Sequence, residues 1–410
     1  MGPSLIIFLL VYVALALGHL PGFRVDRTGA AVIGAMAMIG LGLIGPKAAW
    51  DAIDYQTVGL LFGLMIVSGA FTVSGFFDWL ARKVAALDVL PQVLLMLIIG
   101  LGGGLSALLT NDVVVIAMTP LLVSISISRG LNPVPFILGF CFAANTGSVA
   151  TIIGSPQNMI IAQTLGLSFT EYMKVVLVPA LATLPIIWGL ICVLYRGRWT
   201  IQAKATQPVA GTSAGHALDI GGTAKAAIIT AAVVAAFVFS DWRRELIALS
   251  AAAVILVSRR VASKDVLGTV DGNLLLLLAG LFVVNATLAD TGLPQKLVHD
   301  LQSAGLDLGK PSVIFLVSSV LSNIVGNSPA VMLLVPFLPH AGDMNAVGAA
   351  LALGTGFSSN AVIFGSLAGV IVVEQAARFN IDISMREFCR AGIPVSLICM
   401  ALALGWILLT

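Results

Sequence analysis

The sequence predicts an all-α polytopic membrane protein of two inverted repeats, each of about five transmembrane helices with a re-entrant hairpin and a broken helix. Three observations predict it. First, 59% of the 410 residues are hydrophobic and only 10% are charged, with a mean hydropathy of +1.06. So few charges cannot clothe a water-soluble surface of this size, so lipid is the solvent. Second, long apolar runs recur at lengths that cross a core of about 30 Å, roughly 20 helical residues each. Third, the two halves of the chain repeat one another in order. The same counts exclude other classes. A net charge of +2 leaves no basic surface for nucleic acid. Four cysteines without a CxxC pair, and no HExxH, suggest neither a disulfide framework nor a metal centre.

Taken in chain order, the apolar runs place spans near 4–20, 28–46, 57–73, 134–165 and 170–196 in the first half. The second half has them near 222–240, 245–258, 272–289, 345–377 and 387–410. Met1–Ser4 lacks the positive n-region of a signal peptide, so the first run is read as a span. Two further stretches, 90–128 and 309–340, are each broken near the middle by polar residues beside small residues or proline, and each reads as a hairpin that enters and returns. Segments 75–87 and 292–303 mix apolar residues with Arg82, Lys83 and Lys296 and read as interfacial helices. The long polar stretch at 197–221 is a linker, which divides the chain into repeats 1–196 and 222–410.

Internal alignment supports that division. Gly63-Leu64-Met65 through Gly75 matches Gly280-Leu281-Phe282 through Gly292 at an offset of 217. Asn111 through Pro120 matches Asn327 through Pro336 at 216, Gly154-Ser155 matches Gly365-Ser366 at 211, and Ser168 through Tyr172 matches Ser384 through Phe388 at 216. Five crossings per half is an odd number, so the second repeat enters the membrane from the opposite side. Fifteen of the 21 basic residues, among them Arg24, Arg27, Arg82, Lys83 and Arg129, then lie on the side opposite the N-terminus. The positive-inside rule predicts a cytoplasmic linker and both termini outside the cytoplasm, in a cell inner membrane.

Polar backbone at membrane depth is tolerated only where it lines a cavity or is buried in protein. Four such breaks occur. The hairpin tips carry Thr110, Asn111 and Asp112, and Asn327 and Ser328; the broken spans carry Asn145, Thr146 and Ser148, and Ser359, Asn360 and Ser366. The ten uncharged residues are candidate solute contacts, since half-helix ends meeting at the midplane present backbone dipoles to a shared cavity. Asp112 is the one carboxylate at any break. An acid at membrane depth is costly to bury and is a candidate for ion coupling, by loading a proton or ligating sodium. The alternative is that Asp112 caps the second hairpin helix. Gly100 and Gly102–Gly104 lack the strand, turn and lysine of a phosphate loop and suit close helix packing.

Thr110-Asn111-Asp112-Val113-Val114-Val115 with Thr119-Pro120, followed by Asn145-Thr146-Gly147 and Gly154-Ser155-Pro156-Gln157-Asn158, resembles the arsenite permease and anion permease branch of the ion transporter superfamily. That superfamily also contains the divalent anion sodium symporters. The resemblance implies alternating access without ATP, so that a cytoplasmic ATPase subunit is not required. Dicarboxylate symporters of the superfamily carry a Ser-Asn-Thr triplet in both halves; here Ser322-Asn323 is followed by Ile324, and the first hairpin reads Thr110-Asn111-Asp112. No Lys or Arg lies within the breaks, which points to an uncharged or cation-compensated solute. The expectation is proton-coupled efflux of arsenite and antimonite. The alternatives are a sodium- or proton-coupled carrier of dicarboxylate or inorganic anions, and a sodium/proton antiporter. No cofactor beyond the coupling ion, H+ or Na+, and no partner beyond a small solute and the bilayer is expected.

Overall fold

The computed structural model describes residues 2–20, 22–200, 217–292, 296, 300, 303, 306–338 and 343–409. The middle of the 197–221 linker, most of the 292–303 segment and the end of the second hairpin stretch lie outside the described residues.

Helix starts are written in the sequence as proline at the first turn or as a short polar cap. In the first repeat α1 (Pro3–Leu17) stops at Gly18, whose φ of +82° is the left-handed C-cap, and α2 (Arg27–Gly40) is capped by Asp26. After the short α3 (Pro46–Asp51), Asp54 caps α4 (Tyr55–Val73), and α5 (Phe76–Ala85) follows. The hairpin is α6 (Pro91–Leu108) and α7 (Asn111–Ser128), and the broken span is α8 (Pro133–Ser148) and α9 (Pro156–Thr164). The long α10 (Phe169–Leu194), capped by Ser168, closes the repeat. The second repeat runs α11 (Ile220–Phe239), α12 (Arg244–Leu256), α13 (Ser263–Leu267) and α14 (Gly272–Ala289). Its hairpin is α15 (Pro311–Val325) and α16 (Asn327–Leu334), the latter ending in a 3-10 turn at Val335–Phe337. Its broken span is α17 (Met344–Ser358) and α18 (Leu367–Ala377), before the final α19 (Met385–Leu409).

The repeat is visible in the helix boundaries. Helices α1 to α4 begin at Pro3, Arg27, Pro46 and Tyr55, and α11 to α14 begin 217 residues later at Ile220, Arg244, Ser263 and Gly272. Packing repeats too. The crossing of α4 with α12 has its mate in α2 with α14; α6 on α8 has its mate in α15 on α17; and α7 on α18 has its mate in α9 on α16. A two-fold relation requires this exchange of partners. The crossing helices touch through glycine on both sides of the axis. A Cβ on Gly63 would lie 2.6 Å from the Ala248 carbonyl carbon, and one on Gly280 would lie 2.8 Å from that of Ala31. Backbone cannot yield as a side-chain tip can, so Gly63→Ala and Gly280→Ala are expected each to cost about 1–3 kcal/mol, as overpacking does. Thermal unfolding in detergent checks this, and the two variants should melt alike.

Seven helices among the described residues, α4, α6, α7, α10, α11, α14 and α19, are long and apolar enough to cross a membrane. Others expected as spans are shorter: α1 has 15 residues, α2 has 14 and α12 has 13. Length alone would let α6 and α7 each cross, but their junction at Leu109-Thr110 is buried in the protein, so the hairpin ends inside it. The outward faces carry exposed Leu10, Val193, Ile228 and Leu397, an apolar rim suited to lipid.

Candidate functional site

The breaks satisfy their polar groups from their own residues, from α4 and, at the first tip, from the neighbouring broken span. At the first tip the Thr110 amide donates to Ser68 Oγ on α4 (3.0 Å), and the Asn111 amide donates to the Gly154 carbonyl in the first broken span (2.9 Å). Gly154 allows this approach: a Cβ there would sit 2.6 Å from the Ser106 carbonyl oxygen of the hairpin. The carbonyls left open where α8 ends are taken by Asn158, whose Nδ2 donates to Ser148 (2.9 Å) and Thr151 (3.0 Å). At the second tip Gly326 takes φ +92°, and Ser322 Oγ donates to Asn327 Oδ1 (2.6 Å). Ser366 Oγ caps α18 by accepting from the Gly369 amide (3.0 Å).

The two broken spans are joined directly. Asn145 Nδ2 donates to Asn360 Oδ1 (2.8 Å) and to Ser366 Oγ (2.9 Å), and Asn360 Nδ2 donates to the Phe142 carbonyl (3.3 Å). Asn145 and Asn360 are not repeat equivalents, because the 211 offset pairs Asn145 with Gly356. They meet because α8 and α17 end side by side.

A cavity of about 570 Å3 opens where the breaks converge. Of the residues singled out in the sequence, Asn111, Asp112, Asn327, Ser328 and Ser366 line it. Thr110, Asn145, Thr146, Ser148, Ser359 and Asn360 do not; they are buried behind the wall, where Asn145 and Asn360 fasten the seam and Thr146, Ser148 and Ser359 donate back to carbonyls of their own helices. In this conformation burial against neighbouring breaks keeps those six behind the cavity wall.

Besides α2 and α14, whose N-termini at the cavity wall are capped by Asp26 and Asp271, four helices begin there: Asn111 and Asp112 open α7, Pro156 and Gln157 open α9, Asn327 and Ser328 open α16, and Leu367 opens α18. Helix N-termini carry partial positive charge and free amides, so their convergence favours oxygen-rich or negative groups. Asp112 belongs to the first turn of α7 and is 5% exposed. It makes no cap: no side chain caps α7. The Asn111 Oδ1 atom is buried without a hydrogen-bond partner at the same wall.

Sequence reading missed the contribution of α2 and α14. Arg27 lines the cavity, and its Nη1 lies 3.6 Å from where a Cβ on Gly326 would sit, so the expectation of a site without Lys or Arg fails. Nothing near residue 27 signals this approach to a tip some 300 residues away. Asp26, Asp271 and Glu374 also line the cavity. Asp26 and Asp271 already cap α2 and α14, and Glu374 is exposed at the mouth, leaving Asp112 as the uncommitted acid near the tips. Among the described residues no cluster of His, Cys, Asp and Glu could hold a metal ion.

The profile of the citrate transporter family matches residues 10–356. An uncharacterized transporter of Mycobacterium tuberculosis is 30% identical over 97% of this chain and 95% of its own length. A silicon efflux transporter of Oryza sativa is 33% identical, but over 43% of this chain and 36% of its own. In fold, the chain is similar to the YdaH transporter of Alcanivorax borkumensis, with a TM-score of 0.56 at 17% identity, covering 99% of this chain and 95% of that one.

Proposed function

The chain belongs to the citrate transporter family, multi-span membrane transporters of the ion transporter superfamily, and from that premise we propose a proton-coupled secondary transporter of a small carboxylate or inorganic oxyanion. The convergence of four helix N-termini on one cavity carries this reading. Together with the Arg27 guanidinium on the same wall they attract the oxygens of an anion. Asp112 stands in the first turn of one of those helices. Ionised, it cancels part of the attraction and repels the anion; protonated, it leaves the anion the full field of the four ends. Anion binding and proton loading therefore favour each other, and that mutual preference is coupling. Solute and proton would move together through alternating access, with the solute held by Asn111, Asn327, Ser328 and Ser366.

A second reading is efflux of arsenite and antimonite. The unpartnered Asn111 Oδ1 favours it, since an uncharged acid supplies hydroxyl donors where a fully ionised anion without hydroxyls supplies none. The similarity of part of the chain to a silicon efflux transporter points the same way. Proteoliposomes with an imposed pH difference separate the two. Gradient-driven citrate or oxyanion flux, with counterflow of labelled solute, is expected. Gradient-driven arsenite flux from protein inactive on every carboxylate and oxyanion would overturn the first reading in favour of the second.

A further inference from the structure

Arg27 and Arg244 are the first residues of α2 and α12, the same position in the two repeats. What they touch differs. Arg244 Nη1 donates to the Ala162 carbonyl at 3.5 Å, and Nη2 donates to the Leu167 carbonyl, both at the C-terminal end of broken helix α9. Beside this contact Gln163 Nε2 donates to Gln56 Oε1 on α4 (2.9 Å). These bonds tie the crossing pair α4 and α12 to the broken span on one face of the protein. The crevice on that face, about 400 Å3, is lined by none of the tip or break residues.

On the other face the equivalent parts stand apart. The counterparts of Gln56 and Gln163 are Asn273 and Glu374, at offsets of 217 and 211. Both are exposed, both line the large cavity, and no hydrogen bond joins them. Arg27 Nε and Nη2 are buried with no partner. The carbonyls equivalent to those that Arg244 holds belong to Val373 and Ile383, at offsets of 211 and 216.

We propose that Arg27 and Arg244 are positioning residues of the transport cycle that form an alternating latch: the arginine that grips the C-terminal carbonyls of its broken helix closes that face while the other is free. The inference rests on the transporter reading. A guanidinium fork suits this task because it holds two carbonyls at once and complements the negative end of a helix. The structure holds the state with Arg244 latched and the Arg27 face open to the breaks. In the opposite state Arg27 grips the Val373 and Ile383 carbonyls, Asn273 closes on Glu374, and Arg244 and Gln163 let go. Because the arginines sit on the crossing helices and the carbonyls on the broken spans, exchanging one latch for the other displaces these two parts relative to each other.

Cross-linking in lipid nanodiscs tests it, in a background with Cys141, Cys192, Cys389 and Cys399 replaced by Ala. Two reporter pairs are compared with a short bifunctional maleimide: Gln56→Cys with Gln163→Cys, and Asn273→Cys with Glu374→Cys. With both arginines present, the first pair should react faster. Arg244→Ala should shift the ratio of the two rates about tenfold toward the second pair, and Arg27→Ala should shift it the other way, as expected when one state of a two-state equilibrium loses a contact. Arg244→Lys, which keeps the charge but not the fork, should fall between and serves if the Ala variant does not fold. A ratio that neither arginine moves, or that both move in the same direction, would overturn the latch. Cross-linking needs no solute, so the outcomes separate. Opposite shifts from a protein that moves no solute would sink the transporter reading alone, and unmoved ratios from an active transporter would sink the latch alone.

Discussion

Asp112→Asn is expected to reduce gradient-driven flux by about 100-fold while leaving solute counterflow at equal pH within a few fold. The size follows from what the substitution removes. A carboxylate at membrane depth differs from a neutral group by about 2.5–3.5 kcal/mol, and each 1.4 kcal/mol is a factor of ten. A permanently neutral side chain leaves the four helix N-termini free to hold the solute, so exchange continues, but no proton accompanies it. Asparagine also separates coupling from capping, because it caps a helix about as well as aspartate does. If Asp112 only stabilised the start of α7, the Asn variant would transport and respond to pH like the parent protein. Unchanged gradient-driven flux in a variant that melts normally would therefore remove Asp112 from the coupling machinery. Asp112→Glu, longer by one methylene but still ionisable, should retain a response to the gradient.

The helical frame could be read almost residue by residue because its punctuation is local. Proline at the first turn of α1, α6, α8, α9 and α15, and aspartate before α2, α4, α11 and α14, mark boundaries through backbone chemistry that needs no tertiary partner. Both tips and both breaks were legible for the same reason, as polar and glycine residues inside apolar runs. Which break residues reach the cavity was not. Asn111 and Asn145 look alike in sequence, yet one lines the cavity and the other turns into the seam, a choice made by the packing of α8 against α17. The approach of Arg27 to the second tip was hidden because it joins elements of different repeats. The asymmetry between the two faces was hidden more deeply. Arg27 and Arg244 stand at equivalent positions, so the sequence describes both ends of a cycle at once, and only coordinates select one of them.

Asn145→Ala is expected to destabilise the protein by about 2–5 kcal/mol: of two buried acceptors that lose its amide, one keeps the Gly369 N–H and the other is left unsatisfied, which costs roughly 1–3 kcal/mol, and the lost side-chain volume adds the rest. The acceptors are Asn360 Oδ1 and Ser366 Oγ, in residues 0% and 2% exposed, so water cannot replace the lost bonds without opening the seam. The substitution also leaves a void at a position 1% exposed. A double-mutant cycle distinguishes a bonded seam from packing alone. Removing Asn360 as well deletes one stranded acceptor, so Asn145→Ala with Asn360→Ala should cost less than the sum of the single changes, by about 0.5–3 kcal/mol, the range seen for groups in one network. Thermal unfolding in detergent gives each corner of the cycle. Additive costs, or an Asn145→Ala variant that melts with the parent, would show that the two broken spans are held together by their apolar neighbours instead. Transport should fall with the seam even though neither amide lines the cavity, because Ser366, which does line it, is held by Asn145 from behind.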